Sequence, residues 1–449
     1  MTRIAVIGAG AAGLLAAHRL RALGATVTVY EANARPGGVI ATERHGDWLV
    51  ELGPNTVAEP HPEVRAILDA AGLKDRVIRP SPAAKRRYVV HEGRPVAVPF
   101  STSELVSTPL LSVTGRLRML KEPFVAKGTD PEETVGAFAR RRFGDEAAAR
   151  FIDPIVAGTS GGDPDRLVAR HVFPKLVEFE QRAGSILKGA MRARRDARRA
   201  GLAAEGIWSC PEGLGEVPAR LAAALGDALR VATPVRALRA DGSQVMVATD
   251  GTESGYDGVV ITAPAPAIPT FAAGLPDGAG LARLAEIPHA SMAIVVTGYA
   301  REAVAHPLDG FGVLAPSSAG RRILGTLFPS SLFAGRAPEG HVLLATFVGG
   351  MRAPTLATAD DATVVATVRE ELGDLLGAAG EPAFARVVRW TDALPQAVSG
   401  HAARVAVADA VEAVAPVTFA GSWRDGLAVG DAMLGGVRAA ERLWSRLAG

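Results

Sequence analysis

Apolar residues near the N-terminus follow a strand pattern, then a helical pattern, then a strand pattern again. RIAVIG (Arg3–Gly8) is a short β-rich run, and LLAAHRLRALG (Leu14–Gly24) has apolar residues at helical spacing before a terminating glycine. TVTVYE (Thr26–Glu31) has the pattern of a second strand and ends in an acid. This order predicts a βαβ unit and therefore a parallel sheet.

The rest of the chain alternates between helical and strand-rich segments. The pattern predicts mostly helices over residues 101–203, strands joined by Asp-Gly turns over Val231–Ala267, and a mixed segment over residues 272–386. The C-terminus predicts a strand, a glycine-rich loop and an amphipathic helix. Because strand signals recur on both sides of the helical segment, we expect one domain assembled from separated pieces, with other segments inserted between them.

Composition and charge exclude several classes of protein. The chain has 449 residues, of which 48% are hydrophobic, so we expect two or three domains. A net charge of +2 gives no argument for nucleic-acid binding, and the single cysteine, Cys210, excludes an intrachain disulfide. The sequence shows neither a secretory signal nor an uninterrupted apolar stretch of about 18 residues. We therefore expect a cytoplasmic protein, with peripheral contact at the inner face of the cell membrane left open.

The segment GAGAAG (Gly8–Gly13) follows the first strand and opens the first helix. In such a loop Gly8 permits the tight turn, Gly10 lets the backbone approach a pyrophosphate, and Gly13 allows close packing of helix on strand. Glu31, at the end of the second strand, is placed to accept hydrogen bonds from ribose hydroxyls. This context predicts a dinucleotide site.

Further motifs resemble the FAD-dependent amine-oxidase-like superfamily and follow its order. They are ARPGGVI (Ala34–Ile40), ELGPNT (Glu51–Thr56), PVRALR, WTDALPQAVSGH and FAGSWRDGLAVGDAMLGG. The resemblance implies an α/β fold with a Rossmann-like FAD-binding domain, an inserted α+β substrate domain and a mostly helical domain. It also implies FAD, held non-covalently because the closing motif has no cysteine. The implied cofactor-binding residues are Gly8, Gly10, Ala11, Ala12, Gly13, Glu31, Ala32, Arg35, Gly37, Gly38, Val39, Gly53, Pro54, Asn55, Thr56, Val235, Trp390, Gly421, Val429 and Gly430.

The expected domain limits follow the changes of pattern. The FAD-binding domain takes residues 1–85, 204–270 and 387–449, the substrate domain residues 86–100 and 271–386, and the helical domain residues 101–203. In the helical domain, SELVSTPLLSVTGRLRML and a basic tail would suit contact with anionic lipid. A solvated helix face or packing inside the protein would explain the same residues, and a homodimer also stays open. The basic residues of the tail are Arg192, Arg194, Arg195, Arg198 and Arg199.

Internal segments resemble the protoporphyrinogen oxidase family more specifically. They are RFIDPIVAGTSGGDP (Arg150–Pro164), GFGVLAPS (Gly310–Ser317) and GTLFPSSLFAGRAPEGHVLLATFVGG (Gly325–Gly350). The resemblance implies oxidation of protoporphyrinogen IX to protoporphyrin IX in haem biosynthesis, with dioxygen as acceptor and hydrogen peroxide as product. The implied substrate-binding residues are Arg87, which would grip a propionate, Gly158 in a substrate-facing turn, and Leu314 and Phe333, which would sandwich the pyrrole rings.

No side chain is expected to act as a catalytic acid or base. The nine histidines are scattered, and no carboxylate pair, Ser-His-Asp set or metal cluster emerges, so the flavin would accept the hydride. Asp163 and Pro164 predict the start of a helix. The first alternative is the same chemistry on coproporphyrinogen III, whose additional propionates need more cations, such as Lys85 and Arg86. The others are an amine oxidase or desaturase-like enzyme, and a flavin-binding protein without catalysis.

Overall fold

The computed structural model describes residues 1–199 and 206–448. Within them, the first layer is a parallel five-stranded sheet built from both ends of the chain. Across the sheet the strands are Val417–Phe419, Gly258–Ile261, Arg3–Ile7, Thr26–Tyr30 and Leu229–Arg230. The central strands are apolar and buried, as expected for a sheet that is covered on both faces. The predicted βαβ unit is confirmed.

Helices cover one face of this sheet, and a smaller sheet lies over the other. The helices Ala11–Ala22, Glu216–Leu225 and Val429–Ala448 share an apolar core with the first face. The helix His401–Val414 and a three-stranded antiparallel sheet pack on the second face. The strands of the antiparallel sheet are Val235–Asp241, Gln244–Thr249 and Thr252–Tyr256.

A second large sheet carries the other half of the molecule. In the described residues it has seven strands, and the helix Asp361–Leu376 covers one of its faces. The other face packs against Trp48, Val50 and Leu52, which follow the dinucleotide motif in the chain. In spatial order the strands are Phe384–Pro395, His289–Ala300, His341–Gly349, Ile323–Leu327, Gly310–Leu314, Arg86–His91 and Arg94–Ala97.

The chain between the strands Arg94–Ala97 and Ile207–Trp208 is mostly helical in the described residues. The buried Arg142 guanidinium joins two of these helices to each other, because its Nε lies 3.0 Å from Glu180 Oε1 and its Nη2 donates to the Gly184 carbonyl at 2.9 Å. None of the described helices has both the length and the apolar character that crossing a membrane demands. The helices are Thr102–Ser107, Val113–Leu120, Val135–Phe143, Asp145–Ala147, Asp153–Ser160, Ala169–Val172, Pro174–Ala183 and Ile186–Arg199.

Short elements connect these layers. Thr42–His45 pairs with Trp48–Glu51, and Val57–Ala58 pairs with Ile207–Trp208. The short helical segments are Pro62–Leu68, Asp69–Leu73, Lys74–Arg76, Glu122–Phe124, Ala148–Ile152, Gly226–Ala228, Ala265–Ala267, Ile268–Ala272, Gly278–Glu286, Arg301–Ala303, Ser317–Ala319, Pro329–Leu332, Pro354–Thr358 and Ser422–Asp425.

Two local predictions were wrong. Gly158 lies inside the helix Asp153–Ser160 rather than in a turn, and the chain turns at Gly161, whose φ is 62°. Asp163 and Pro164 begin a turn, in which the Asp163 side chain accepts from Asp165 N at 2.9 Å, and no helix starts there. The domain division stays a prediction: its 386/387 limit falls inside the strand Phe384–Pro395, and its 203/204 limit lies outside the described residues.

Candidate active site

The glycine loop has the backbone geometry that the motif predicts. Gly8 has a φ of 100°, and a Cβ built on Gly13 would overlap the Gly8 carbonyl oxygen, so helix and strand meet without room for a side chain. A Cβ on Gly10 would meet nothing within 4 Å. The Thr262 side chain holds the loop in place, because its Oγ1 donates to the Gly8 carbonyl at 3.1 Å. The fold therefore leaves open space beside Gly10, where a ligand can approach the backbone.

The Glu31 carboxylate is buried beside this loop. Its Oε2 accepts from Ala9 N at 2.8 Å, and its Oε1 accepts from Asn33 N at 2.9 Å and from Asn33 Nδ2 at 2.8 Å. These donors fix the carboxylate, while an ionised carboxylate has about four acceptor sites. Glu31 can thus still accept hydrogen bonds from a ligand. Ala32 follows it directly in the chain.

The next motif folds back onto the glycine loop. Gly37 N donates to the Ala9 carbonyl at 2.7 Å, and Arg35 Nη2 donates to the Gly38 carbonyl at 3.0 Å. Arg35 thereby fixes the turn that Gly37 and Gly38, both with positive φ, make possible. The Val39 side chain beside it is 45% exposed. An exposed apolar side chain next to the open space at Gly10 suits a flat aromatic ligand.

A second loop joins this surface to the large sheet. A Cβ on Gly53 would overlap the Val39 carbonyl oxygen, so the two loops touch backbone to backbone. Asn55 Nδ2 donates to the Gly53 carbonyl at 3.3 Å, and Trp390 Nε1 donates to the Leu52 carbonyl at 2.5 Å. The structure thus brings Trp390 to the loop that also contains the predicted contact residues Pro54 and Thr56.

The last two predicted segments also return to the same region. Thr233 N donates to the Glu31 carbonyl at 2.8 Å, which places the start of the strand at Val235 near that acid. Ala420 N donates to the Ile261 carbonyl at 3.0 Å, and a Cβ on Gly421 would lie 4.0 Å from the carbonyl oxygen of Thr262, the residue that also binds Gly8.

The C-terminal helix meets the first helix at its amino-terminal half. Its second residue, Gly430, has open space where a Cβ would lie, and it follows Val429. A Cβ on Gly436 would overlap the Ala12 carbonyl oxygen, so the last helix packs directly on the first turn of the helix that Ala11 begins. Helix N-termini attract phosphate through free N–H groups and the helix dipole. The glycine loop, the Glu31 carboxylate and the loops at Gly37 and Gly53 thus lie against one another beside this helix N-terminus.

The helix Asp153–Ser160 packs on the same face of the large sheet as the second loop, because Phe347 packs on the apolar cluster of each. A Cβ on Gly158 would be 2.5 Å from Leu314 Cδ2, so these two predicted substrate residues are in contact. Leu314 is paired with Gly325 on the neighbouring strand and is only partly buried. The contact narrows an apolar site between helix and sheet.

Arg87 and Phe333 occupy the far end of the same sheet. The Arg87 guanidinium carbon lies 5.2 Å from the Phe311 ring centroid and 5.5 Å from that of Phe100. Phe311 packs on the apolar cluster that contains Phe333. Arg86 points to the other side of the strand, where its Nη1 lies 3.0 Å from Asp309 Oδ2. Arg86 and Arg87 therefore lie on opposite faces of the strand, as strand alternation requires.

Sequence reasoning missed a buried polar group behind the second loop. Thr42 Oγ1 donates to Glu51 Oε2 at 2.6 Å, and Leu214 N donates to Glu51 Oε1 at 2.8 Å. Burial raises the pKa of Glu51 to about 7. The buried Arg336 guanidinium lies 4.0 Å from this carboxylate and donates to the Cys210 carbonyl at 2.8 Å. The one available signal was a lone arginine within an otherwise apolar segment.

A second missed pair joins the helix Asp153–Ser160 to the sheet. Asp153 Oδ1 lies 2.7 Å from Arg352 Nη2, and the two residues are about 200 positions apart in the chain. The first Asp-Pro pair of the glycine-rich segment was visible in the sequence, but its partner was not.

Burial raises the pKa of the Cys210 thiol to about 12, so the thiol stays protonated near neutral pH.

Comparison with known proteins places the chain in a family. A family model of flavin containing amine oxidoreductases matches residues 11–444. The mitochondrial protoporphyrinogen oxidase of Nicotiana tabacum is 33% identical, with 99% of this chain and 95% of the relative covered. The coproporphyrinogen III oxidase of Propionibacterium freudenreichii subsp. freudenreichii is 31% identical, with 93% and 85% covered.

Solved structures share the fold. A crystal structure from Exiguobacterium sp. 255-15 has a TM-score of 0.82 at 23% identity, with 99% of each chain covered. A putrescine oxidase with two substitutions has a TM-score of 0.71 at 20% identity, again with 99% of each chain covered. The expected α/β fold with a Rossmann-like FAD-binding domain is confirmed. The chain therefore belongs to the flavin containing amine oxidoreductases, as an FAD-dependent oxidoreductase of the protoporphyrinogen oxidase-like group.

Proposed function

We propose that the chain oxidises protoporphyrinogen IX to protoporphyrin IX in haem biosynthesis, with dioxygen as the electron acceptor. One porphyrinogen and three dioxygen molecules give one porphyrin and three molecules of hydrogen peroxide. Each of the three cycles removes a hydride from a bridging carbon and a proton from the macrocycle. Bound FAD supplies the two-electron acceptor in each cycle.

The observation that carries this proposal is the position of Arg87. Its guanidinium stacks on Phe311 and Phe100, and in the described part of the chain it has no carboxylate partner. A guanidinium at the rim of an apolar site is suited to bind a carboxylate through two parallel hydrogen bonds. A porphyrinogen offers a propionate for this cation and a large apolar ring for the surface beyond it.

The apolar side chains would hold the ring. Gly158 and Leu314 would contact one part of the macrocycle, and Phe333 would support the aromatic end of the site through Phe311. The reaction needs a positioned ring and a dry site more than an acid or base on the protein, because protons can leave to solvent.

We assign FAD binding to the surface that begins at the glycine loop. Gly10, Ala11 and Ala12 would meet the pyrophosphate at the helix N-terminus, and Glu31 would bind the ribose. Binding is non-covalent in this proposal, because Cys210 is buried and its carbonyl is bound by Arg336. The remaining contact residues are Gly8, Gly13, Ala32, Arg35, Gly37, Gly38, Val39, Gly53, Pro54, Asn55, Thr56, Val235, Trp390, Gly421, Val429 and Gly430.

The second candidate is oxidation of coproporphyrinogen III, since a relative with that name is 31% identical. Coproporphyrinogen has four propionates, whereas protoporphyrinogen has two. Arg86 is bound to Asp309 on the face opposite Arg87, so it does not add a free cation beside Arg87. Of the three consecutive basic residues, only Lys85 shares the alternation of Arg87. This count favours the substrate with fewer carboxylates.

Both candidates are tested by one assay. The purified holoenzyme is given each porphyrinogen in air, porphyrin fluorescence is recorded, and hydrogen peroxide is measured in parallel. We expect kcat/KM to be higher for protoporphyrinogen IX, with three peroxides formed per porphyrin. A preference for coproporphyrinogen III would overturn the substrate assignment. Peroxide release with amines and no porphyrin fluorescence would indicate an amine oxidase. A yellow protein that no porphyrinogen bleaches without oxygen would indicate binding without catalysis.

We also propose that the helical segment contacts anionic lipid at the inner face of the cell membrane. Exposed apolar side chains gather on the helix Val113–Leu120, on the segment Glu122–Phe124 and on the first turns of Ile186–Arg199. Lys188 Nζ lies 6.0 Å from the Phe124 ring centroid, so apolar and basic groups adjoin. The exposed apolar residues are Val113, Leu117, Leu120, Phe124, Leu187 and Met191.

Vesicle sedimentation tests this lipid contact. The protein is mixed with vesicles of phosphatidylcholine alone or with added phosphatidylglycerol, at low and high salt. We expect binding to the anionic vesicles that salt weakens and that Leu117→Asp with Phe124→Asp abolishes. Val414→Asp, at another exposed apolar residue, is the matched control. Equal recovery of wild type and the double variant with vesicles would contradict the proposal. Light scattering tests separately whether the chain forms a homodimer, which the sequence left open.

A further inference from the structure

The helix Asp153–Ser160 is tied to the large sheet at its first residue. Asp153 Oδ1 lies 2.7 Å from Arg352 Nη2, and Asp153 Oδ2 accepts from Ser317 N at 2.7 Å. Arg352 Nη1 also donates to the Ala315 carbonyl at 2.8 Å. The pair thereby joins three segments: the helix, the chain just after the strand Gly310–Leu314, and the loop after the strand His341–Gly349.

The other end of the helix is tied to the same loop. Met351 N donates to the Gly161 carbonyl at 2.7 Å, and a Cβ on Gly161 would lie 3.3 Å from Gly350 Cα. Gln396 Nε2 donates to the Ser160 carbonyl at 2.9 Å. An eight-residue helix is about 12 Å long, so contacts at both ends leave it little freedom to tilt. Residues 350–352 therefore act on both ends of one helix.

Gly158 lies between these two attachments, with its Cβ position 2.5 Å from Leu314 Cδ2. Leu314 immediately precedes Ala315, whose carbonyl Arg352 binds. A shift of Arg352 would thus move both sides of the Gly158–Leu314 contact. We propose that Asp153 and Arg352 are positioning residues, whose ion pair sets the separation between this helix and the strand end and hence the width of the substrate site.

This inference rests on the proposed function, because it takes the Gly158–Leu314 contact as part of the porphyrinogen site. The Asp153 and Arg352 side chains are 10% and 20% exposed. Removing either one leaves the other with a desolvated charge and breaks hydrogen bonds to backbone groups, so the local geometry changes. A misplacement of about 1 Å can lower a rate by up to about 100-fold.

Steady-state kinetics of the holoenzyme test the pair. The variants are Arg352→Ala, Asp153→Ala and their combination, with the milder Arg352→Lys and Asp153→Asn in case the alanine variants fold poorly. The substrate is whichever porphyrinogen the wild type turns over better. We expect kcat/KM to fall about tenfold or more, mainly through the KM for porphyrinogen, while FAD content and the KM for dioxygen stay unchanged. The double variant should be no worse than the worse single variant.

Arg321→Ala is the matched control. The Arg321 side chain is 17% exposed, its Nη1 lies 3.4 Å from Glu371 Oε2, and that carboxylate also accepts a backbone N–H from Arg322 at 3.1 Å. Glu371 belongs to the helix that covers the opposite face of the sheet. The control should lower the melting temperature as Arg352→Ala does and leave the KM for porphyrinogen unchanged.

The outcomes separate the two proposals. If the wild type oxidises neither porphyrinogen, the proposed function is wrong and this inference falls with it. If the wild type is active, three results each overturn the inference alone. These are an unchanged KM in the Asp153 and Arg352 variants, an equal rise of KM in Arg321→Ala, or strictly additive effects of the two alanine substitutions. Partial recovery of KM in Arg352→Lys would support the pair.

Discussion

The nucleotide-binding surface and the substrate-facing site both depend on glycines that allow close packing, but the two differ in what lies against each glycine. Gly13 meets the backbone of Gly8, within the same loop. Gly158 meets the flexible end of the Leu314 side chain, which belongs to a different sheet. The first contact cannot yield without distorting the main chain, whereas the second can yield by a change of rotamer. The cofactor surface is thus rigid by backbone, and the substrate site is adjustable by side chains.

Gly10→Asp tests the cofactor surface, whose shape the main chain fixes, and should have the largest effect. A Cβ at Gly10 meets no protein atom within 4 Å, so we expect a folded protein whose carboxylate repels the pyrophosphate. The purified variant should lack the flavin absorbance near 450 nm and all oxidase activity, with a circular dichroism spectrum like that of the apoprotein. Gly280→Asp, also at an open position, is the control and should stay yellow. A yellow Gly10→Asp would refute the assignment of the loop.

Arg87→Ala tests the substrate site. We expect FAD to remain bound, because Arg87 stacks on Phe311 and Phe100 and bonds to none of the predicted cofactor residues. The loss of a charged hydrogen bond to a propionate should lower kcat/KM by roughly ten- to 100-fold. Porphyrin fluorescence assays give the values. Arg86→Ala is the matched control, and a similar loss there would remove the distinction between the two faces of the strand.

Gly158→Ala should have a smaller effect, because the Leu314 side chain can move away from the added methyl group, whereas the backbone that faces Gly13 cannot. The added methyl group would displace the Leu314 side chain and narrow the site, so we expect the KM for porphyrinogen to rise about threefold to tenfold. The melting temperature should not fall, because alanine is favoured over glycine in a helix by about 1 kcal/mol. Leu314→Ala is the reference background, because Leu314 is itself a proposed substrate contact, and adding Gly158→Ala there should raise KM less than it does in the wild type. An equal rise of KM in both backgrounds would show that the Gly158–Leu314 contact does not set the substrate fit.

A pair of histidines lies where the helical segment meets the nucleotide-binding part of the chain, and it tests whether these two halves of the chain unfold together. His171 of the helical segment and His401 of the nucleotide-binding half have ring centroids 5.0 Å apart. Burial is the main cause that lowers both pKa values, that of His401 to about 4. The neighbouring His171, and after it Arg404, lower the pKa of His401 further, while the Trp423 backbone raises it. Arg170 lowers the pKa of His171, and Glu132 raises the pKa of both histidines.

The sign of the pH dependence follows from those pKa values. Since the unfolded state binds a proton near pH 6.5 and the folded state only near pH 4, stability is complete above pH 6.5. It falls as the pH drops towards 4, by up to on the order of 3 kcal/mol for His401. Urea unfolding at pH 7 and pH 5 should show part of this loss, roughly 2 kcal/mol, in the wild type and a smaller loss in His401→Leu. The exposed His61→Leu is the control. Separate transitions for FAD release and helix loss would show that the halves unfold independently.

Prediction from sequence succeeded where the determining contacts are local. The strand, loop and helix around Gly8, Gly10 and Gly13 follow from neighbours within one βαβ unit, and Glu31 follows from the end of its second strand. The same holds for Arg87, because strand alternation alone separates it from Arg86. Such positions are determined by chain geometry over a few residues.

Prediction failed where a contact joins distant segments. Gly158 was expected in a turn, because the family resemblance implied a glycine-rich turn there, but the sheet beneath it packs against a helix that continues to Ser160. The partners of Asp153, Glu51 and Gly436 come from parts of the chain that no periodicity relates to them. Arginines that bind backbone carbonyls, such as Arg336 and Arg352, have no sequence signal beyond their isolation among apolar residues.

The central sheet has a consequence for how the protein is made. Its first strand, Arg3–Ile7, pairs with Gly258–Ile261, which in turn pairs with Val417–Phe419. The last helix, which ends at Ala448, packs on the first turn of the first helix. The first strand can pair at once with Thr26–Tyr30, but a ribosome that adds about 5–20 residues per second leaves it without its second neighbour for many seconds. The predicted contact residues Val429 and Gly430 lie in that last helix, so the proposed cofactor surface is complete only after this helix has left the ribosome and packed on the first one.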